Sequence, residues 1–211
     1  MKTSVLTQFA TKQLSESFPE NTASLREACA TLSAFDLLAS YEDTDVIGSN
    51  GNLSERNQKG GFVITATQLP SKQNLAPDDC VLIETCSGGM ARYHGAKPPS
   101  SESLMHWHLF ETFPTIQAIV HVHESNNLLY CESSRARWAG LGIMETAGDV
   151  GGGTIAVGEV TAEAFTDESF YVILKNHRPD WDLGRTGTVV MGQTLDEAVD
   201  RTLAVYKGLK E

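Results

Sequence analysis

The stretch Ile116-Gln117-Ala118-Ile119-Val120-His121-Val122-His123 is the segment around which the predicted fold is arranged. Its apolar and β-branched residues predict a strand, and side chains two positions apart in a strand share a face. His121 and His123 therefore lie side by side at the end of this strand. Two adjacent imidazoles are typical of half a metal site, and the alternative from this pattern alone is a pair of partly exposed histidines.

The composition of the 211-residue chain is that of a single globular domain, residues 1–211. Its 27 Asp and Glu outnumber its 16 Lys and Arg, which gives a net charge of −11. This acidic balance argues against a nucleic-acid or anionic-membrane surface, because both require positive potential. It is compatible with a phosphate substrate, since a phosphate needs only a local pocket of hydrogen-bond donors.

The cysteines and the N-terminal residues favour a cytoplasmic protein. No pair among Cys29, Cys80, Cys86 and Cys131 has the spacing of a CxxC zinc or redox motif, which favours free thiols in a reducing compartment. Residues 1–18 lack the apolar centre of a signal peptide. No stretch approaches the roughly 20 apolar residues of a membrane-spanning helix.

Hydrophobic periodicity predicts an interleaved series of helices and strands. A short helix is predicted to end before Pro19, and Asn21 or Thr22 is predicted to cap a longer one whose apolar stripe runs from Leu25 to Ala39. The further predicted strands are at 62–65, 81–85, 116–123 and 187–191. The further predicted helices are at 102–111, near 125, at 161–176 and after Thr194. Thr194 and Glu197 are predicted to form a capping box at the start of the last helix. The interleaving indicates an α/β or α+β class.

Two polar segments are candidates for an anion-binding site. Ser100-Ser101-Glu102 stands at a predicted helix start, where hydroxyls and free backbone N–H groups bind anions. Ser49-Asn50-Gly51-Asn52-Leu53-Ser54 is a turn whose glycine and asparagines tolerate unusual backbone angles and expose donors. Each segment also has an ordinary structural explanation, helix capping for the first and a surface turn for the second.

Taken in order along the chain, these segments resemble the class II aldolase/adducin family. The resemblance extends from the region of residue 20 to the C-terminus. The matching motifs are Gly51-Asn52-Leu53-Ser54 (GNxS loop), Ile64-Thr65-Ala66-Thr67 (ITPT segment), Leu75-Ala76-Pro77-Asp78-Asp79, Pro99-Ser100-Ser101-Glu102 (PSSE motif), His121-Val122-His123 (HxH motif) and the closing segment 187–198. Several motifs in the right order are far more specific than any one of them.

The resemblance implies a metal-dependent active site. It makes His121 and His123 ligands of a divalent metal, most often Zn²⁺, and it makes Glu102 the catalytic acid/base. It also implies that a substrate phosphate is held by Gly51, Asn52, Thr67, Ser100 and Ser101. General chemistry agrees, because a divalent ion can polarise a carbonyl while a nearby carboxylate moves a proton.

The expected third metal ligand departs from the family pattern. In the family it is a histidine directly before a glycine, in an (R/N)HG sequence, and the match through Gly187 puts Thr186 at that position. His177 is a candidate ligand in its place. The alternatives are that His177 is a surface histidine, or that Glu102 completes a site of two imidazoles and one carboxylate.

Two further features stand apart from the pattern. Gln68 replaces the glycine of the ITPTG form of the motif, where its side chain would crowd a phosphate or donate an amide N–H to it. Gly151-Gly152-Gly153 forms a loop to which the pattern assigns no role.

The function that the resemblance implies is a metal-dependent lyase that cleaves a small ketose phosphate in a retro-aldol reaction through an enediolate. The alternatives are a sugar-phosphate epimerase or dehydratase of the same family, and a non-catalytic, adducin-like binding module, which the presence of Thr186 favours. The implied fold is α/β, a three-layer α/β/α arrangement with a central, mostly antiparallel sheet. The implied assembly is a homotetramer.

Overall fold

The fold is built on a large mixed sheet covered by helices on both faces, seen in a computed structural model that describes residues 9–17, 19, 21–43, 46–166, 169–178 and 182–211. The strands are β1 (Ala10–Ser15), β2 (Ser40–Asp43), β3 (Val46–Ser49), β4 (Asn52–Arg56), β5 (Phe62–Thr65), β6 (Cys80–Ser87), β7 (Met90–His94), β8 (Ala118–Ser125), β9 (Ile143–Glu145), β10 (Tyr171–Ile173) and β11 (Arg185–Gly192). The α-helices are α1 (Ala23–Ala34), α2 (Ser103–Thr112), α3 (Asn126–Tyr130), α4 (Glu132–Arg137), α5 (Ile155–Ala164) and α6 (Leu195–Lys210).

Nine strands in the described part of the chain form the main sheet, in the order β1-β7-β6-β5-β4-β8-β11-β10-β9. All neighbouring pairs are antiparallel except β1 with β7 and β9 with β10, which lie at the two edges. Strands β2 and β3 form a separate hairpin. The predicted α/β class and the mostly antiparallel central sheet are thus confirmed.

Strand β8 lies in the middle of the sheet and is buried on both faces from Ala118 to Glu124. Its continuous apolar run reflects this position, because a strand covered on both sides needs no polar alternation. Helices α1, α3 and α6 pack on one face of the sheet, while α2 and α5 pack together on the other, with α2 against β6. These contacts give the three layers that the resemblance implied.

Register places the two histidines of β8 against small neighbours. His121 lies opposite Asn52 of β4 on one side and Val189 of β11 on the other. His123 lies opposite Gly187 of β11. Since side chains directly opposite each other share a face, the α2 side of the sheet holds His121, His123, Asn52 and the position of Gly187.

Two of the predicted elements near the start of the chain differ from the structure. Residues 10–15 form strand β1 at the sheet edge rather than a helix, because pairing with β7 overrides the local periodicity; residues 1–8 lie outside the described part. Helix α1 ends at Ala34 instead of continuing to Ala39, and its Thr22 cap makes no side-chain hydrogen bond with the described residues.

The helix predicted at 161–176 is a helix–loop–strand instead. Helix α5 ends at Ala164, and Tyr171–Ile173 forms strand β10, whose aromatic and β-branched residues suit a buried strand. At the other end of the chain, Thr194 accepts a hydrogen bond from the Glu197 N–H, which is one half of the predicted capping box. The Glu197 carboxylate accepts from the Gln193 N–H rather than from that of Thr194. Among the residues that the structure describes, none of the helices has the length and apolar character needed to cross a bilayer.

Candidate active site

Three histidines converge on the α2 side of the sheet. His121 and His123 project from β8, and His177 follows β10; one nitrogen from each ring lies within 4.8 Å of the corresponding atoms of the other two. The ring centroids are 5.0 to 5.7 Å apart. His177 is only 6 % exposed, so the alternative of a surface histidine is wrong.

Gly187 is the reason that His177 can approach the strand. A Cβ at this glycine would lie 2.5 Å from His177 Cδ2 and 2.8 Å from His121 Cε1, both far inside van der Waals contact. The missing side chain therefore leaves the space that the His177 ring occupies. The Gly187 N–H also donates a 2.8 Å hydrogen bond to the His177 carbonyl, which ties the two segments together.

Thr186 faces the other side of the sheet. It pairs with Glu124 of β8, and its hydroxyl donates to Asn126 Oδ1 at 2.6 Å. Its side chain is therefore directed away from the histidines, as expected for neighbours in a strand. The residue types of the (R/N)HG pattern are instead divided along the chain and adjacent in space: Asn176-His177 matches the first two, Gly187 matches the glycine, and residues 178–186 lie between them in sequence.

Backbone carbonyls orient two of the three rings. His121 Nδ1 donates to the Thr188 carbonyl at 2.9 Å, and His177 Nδ1 donates to the Val150 carbonyl at 3.3 Å. Because a carbonyl can only accept, each Nδ1 carries the proton and each Nε2 keeps its lone pair for a ligand. His123 Nδ1 is buried and has no hydrogen-bond partner in the described part of the chain.

Burial keeps two of these imidazoles neutral. It lowers the pKa of His121 and of His123 well below the ordinary histidine value, and the neighbouring imidazoles lower both pKa values further. Neutral imidazole is the form that binds a metal. His121 and His123 therefore offer unprotonated nitrogens to a metal at neutral pH.

Glu102 lies at the N-terminal end of α2, beside the histidine cluster. Its Oε1 is 3.9 Å from His177 Nε2, and its Oε2 is buried with no partner among the described residues. The Ser100 hydroxyl accepts the Glu102 N–H and so fixes the start of the helix. A buried carboxylate oxygen without a partner indicates a place where a ligand or a proton belongs.

The Gly151–Gly153 loop closes over this carboxylate. A Cβ at Gly152 would lie 2.8 Å from Glu102 Oε1 and 3.3 Å from His177 Cε1, so a side chain here would displace the carboxylate or the ring. This contact gives the loop a structural role that the sequence pattern left open.

The predicted phosphate residues meet the histidines in one cavity of about 320 Å³. Its described lining includes every residue predicted for the site: Gly51, Asn52, Thr67, Ser100, Ser101, Glu102, His121, His123 and His177. An isolated bridge between Ala66 and Pro99 joins two of these segments, and the Thr67 N–H donates to the Pro98 carbonyl. Ser100 and Ser101, just before α2, and the turn at Thr67 are thereby held side by side.

Backbone conformation explains two positions in the cavity wall. Gly51 has φ +70°, and a Cβ there would lie 2.4 Å from the His121 carbonyl oxygen, so this position requires glycine. Gln68 has φ +54°, the left-handed conformation that the family's glycine would adopt freely. Gln68 therefore keeps the turn, although the left-handed conformation costs a non-glycine residue about 1–2 kcal/mol of conformational free energy. Its side chain also lines the cavity.

Sequence reasoning missed several residues of the cavity. The described lining also contains Tyr41, Lys72, Asn176 and Arg178, none of which was singled out. Asn176 had a usable signal, because Asn176-His177 repeats the first two residues of the (R/N)HG pattern. Lys72 had none, since it stands alone after a turn.

Comparison with known proteins identifies relatives across the chain. A family model described as "Class II Aldolase and Adducin N-terminal domain" matches residues 32–210. Methylthioribulose-1-phosphate dehydratase of Yersinia pestis is 32% identical over 78 residues, which are 37% of this chain and 33% of that protein. This match thus spans about a third of the relative's length.

Solved structures share the fold at low sequence identity. A sugar-phosphate aldolase from Thermotoga maritima has a TM-score of 0.65 at 20% identity, covering 89% of this chain and 92% of that one. An L-fuculose-1-phosphate aldolase from Thermus thermophilus has a TM-score of 0.55 at 18% identity, covering 89% and 90%. These likenesses concern the fold alone.

Proposed function

The chain belongs to the class II aldolase and adducin family, and we propose that it is a metal-dependent lyase that cleaves a small ketose phosphate by a retro-aldol reaction. The observation that carries the proposal is the meeting of three imidazoles and the buried Glu102 carboxylate in one cavity. A binding module has no need of this combination.

The three histidines fit a divalent ion, for which we propose Zn²⁺. His121, His123 and His177 are buried, their ligand atoms converge, and carbonyls fix the tautomers of two rings. Three imidazoles with an open side are typical of a catalytic rather than a structural zinc site. When bound, the ion would supply Lewis acidity to a substrate carbonyl.

Glu102 is proposed to move the proton. In cleavage, the C–C bond breaks with its electron pair left on the ketone half, the hydroxyl of the aldehyde half loses a proton, and the ketone half gains one at carbon. Glu102 is the only carboxylate among the described residues that line the cavity. Its unpartnered Oε2 is free to accept a proton and return it.

The phosphate is proposed to bind at the hydroxyls and backbone N–H groups of Gly51, Asn52, Thr67, Ser100 and Ser101. These residues line the same cavity as Glu102. The start of α2 adds the positive end of a helix dipole to this side of the cavity.

A dehydratase is the second candidate. The relative that supports it is the methylthioribulose-1-phosphate dehydratase, with 32% identity over 78 residues. The same metal ligands and the same carboxylate would serve, with a C–O bond broken instead of a C–C bond. An epimerase of the same family is a further alternative that would use the same residues.

The alternative of a non-catalytic binding module was favoured by Thr186 at the position expected for the third ligand. It loses that support because His177 provides a third imidazole.

Metal analysis with a product assay tests the proposal. Freshly purified chain should contain near-stoichiometric zinc, or take it up on reconstitution, and a His121→Ala variant should not. A panel of ketose phosphates should then release a triose phosphate and an aldehyde. Release of water instead would identify the dehydratase, and absence of metal and turnover would contradict both.

A Glu102→Gln variant separates binding from chemistry. It should retain zinc and lose about 10²- to 10⁴-fold in turnover, because the amide cannot carry a proton. A Glu84→Gln variant is the matched control, since Glu84 contacts His94 at the far end of the sheet. Unchanged turnover in Glu102→Gln would remove this residue from the mechanism.

We also propose that residues 1–211 form one domain that acts in the cytoplasm as a homotetramer. Light scattering coupled to a sizing column should report a mass of four chains. A monomer at micromolar concentration would contradict the assembly and leave the chemistry untouched.

A further inference from the structure

Lys72 is a buried cation in the cavity wall that the proposed chemistry does not use. It is only 3 % exposed, and its ammonium donates to the Ser49 carbonyl at 2.8 Å, to Ser49 Oγ at 2.8 Å and to the Asn50 carbonyl at 3.3 Å. All three acceptors are neutral. Within the described ranges, no salt bridge joins Lys72 to a carboxylate.

A buried ammonium without a counter-charge is costly, because the protein interior solvates charge less well than water. The cost is visible in the pKa of Lys72, which burial lowers to about 8. The nearby Cys29 thiol does not compensate, since burial raises its pKa to about 12 and keeps it neutral. A negative charge supplied from the cavity would relieve this cost.

The hydrogen bonds of Lys72 also join two segments of the cavity wall. Ser49 and Asn50 directly precede Gly51, one of the proposed phosphate residues. Ser49 Oγ, which accepts from Lys72, donates to the Leu69 carbonyl at 2.8 Å, and Leu69 ends the turn that begins at Thr67. Lys72 thus fixes the Gly51 segment relative to the Thr67 segment.

We propose that Lys72 is the charge partner and positioning residue for the anionic group of the substrate. Its three N–H groups are already used, so it acts through its charge and through the position of the Gly51 segment. The choice of a phosphate monoester dianion as that anion rests on the function proposed above. The uncompensated ammonium itself requires only a negative charge in the cavity.

Anion binding to charge variants tests this proposal. Inorganic phosphate is titrated calorimetrically into the zinc-loaded full chain and into Lys72→Met and Lys72→Arg variants. Lys72→Met should bind phosphate about tenfold or more weakly, because a charge a few ångströms away is lost, while Lys72→Arg should recover most of the affinity. With a ketose phosphate, Lys72→Met should raise KM more than it lowers kcat.

A surface lysine provides the matched control. Lys97 pairs with Asp78 and Asp79 outside the cavity, so Lys97→Met should leave phosphate affinity unchanged. Zinc content is measured for every variant, because equal zinc shows that the metal site is intact. Wild-type phosphate affinity in Lys72→Met would overturn the proposal.

The two proposals fail in different ways. Phosphate binding that depends on Lys72, without turnover of any ketose phosphate, would contradict the lyase and keep the anion site. Turnover that depends on Glu102, with phosphate affinity indifferent to Lys72, would contradict the anion site and keep the lyase.

Discussion

The two faces of β8 both bury ionisable side chains, and the face that carries His121 and His123 lines the cavity described above. On the α2 side, His121 and His123 meet His177 and the Glu102 carboxylate. On the α6 side, Glu124 is 1 % exposed and accepts a 2.7 Å hydrogen bond from the Tyr171 hydroxyl. Burial raises the pKa of Glu124 to about 7.

The difference shows that burial of a polar group does not by itself mark an active site. Glu102 and Glu124 each have one carboxylate oxygen without a partner in the part of the chain that the structure describes. Glu102 faces a cavity with three potential metal ligands, whereas Glu124 faces a tyrosine beneath a helix. Access to the cavity and the neighbouring side chains therefore distinguish Glu102, a candidate for chemistry, from Glu124, which has a structural role.

Removing the third imidazole should have the largest effect. His177→Ala should lose stoichiometric zinc and about 10³-fold or more in turnover, because a catalytic zinc site needs three protein ligands. Elemental analysis and the product assay measure both. A His177→Ala variant that keeps full zinc would show that Glu102 can complete the site.

Filling the space at Gly187 should have the next largest effect. Gly187→Ala places a methyl group against His177 and His121 and should weaken zinc binding about 10- to 100-fold, as for other changes that misorient ligands. Competition with a chelator measures the affinity. Gly184→Ala is the control, since its Cβ meets no described atom within 4 Å; equal zinc affinity in the two variants would contradict the packing explanation.

On the α6 side, the expected effect is on stability alone. Tyr171→Phe removes the hydrogen bond to Glu124 and should lower the free energy of unfolding by about 1–3 kcal/mol, with zinc content unchanged. Urea denaturation measures the change. Tyr206→Phe, on the more exposed α6 surface, should stay within about 0.5 kcal/mol. Loss of zinc in Tyr171→Phe would mean that the two faces are coupled.

The smallest effect is expected at the position that the sequence pattern favoured. Thr186→Val removes the hydroxyl that donates to Asn126 and should cost about 0.5–1.5 kcal/mol, with zinc retained. Adding Thr186→His to His177→Ala should not restore zinc, because residue 186 faces α6. Recovery of zinc in that double variant would contradict the assigned strand faces.

Local pattern was sufficient where the site is made of short continuous segments. The alternation in 116–123 predicted that two imidazoles share a face, and the family resemblance carried by the short motifs at 51–54 and 99–102 predicted residues that the cavity brings together. Helix α6 began where its cap predicted. Each of these features depends on neighbours in the chain.

The features that local pattern left open, such as the candidate ligand His177, or missed, such as Lys72, depend on contacts between distant segments. His177 reaches the cluster only because Gly187 lacks a side chain, and Lys72 lines the cavity only because the turn after Thr67 folds back onto Ser49. Strand β1 exists through its pairing with β7. Periodicity within one segment carries no information about such partners.

The separation of His177 from Gly187 has a practical consequence for finding related proteins. A search string that demands an uninterrupted His–Gly pair would reject this chain, although its three imidazoles converge in space. A string that lets a loop of variable length stand between the histidine and the strand glycine would retain it. Genomes screened with the stricter string will therefore miss chains whose third imidazole comes from a separate segment.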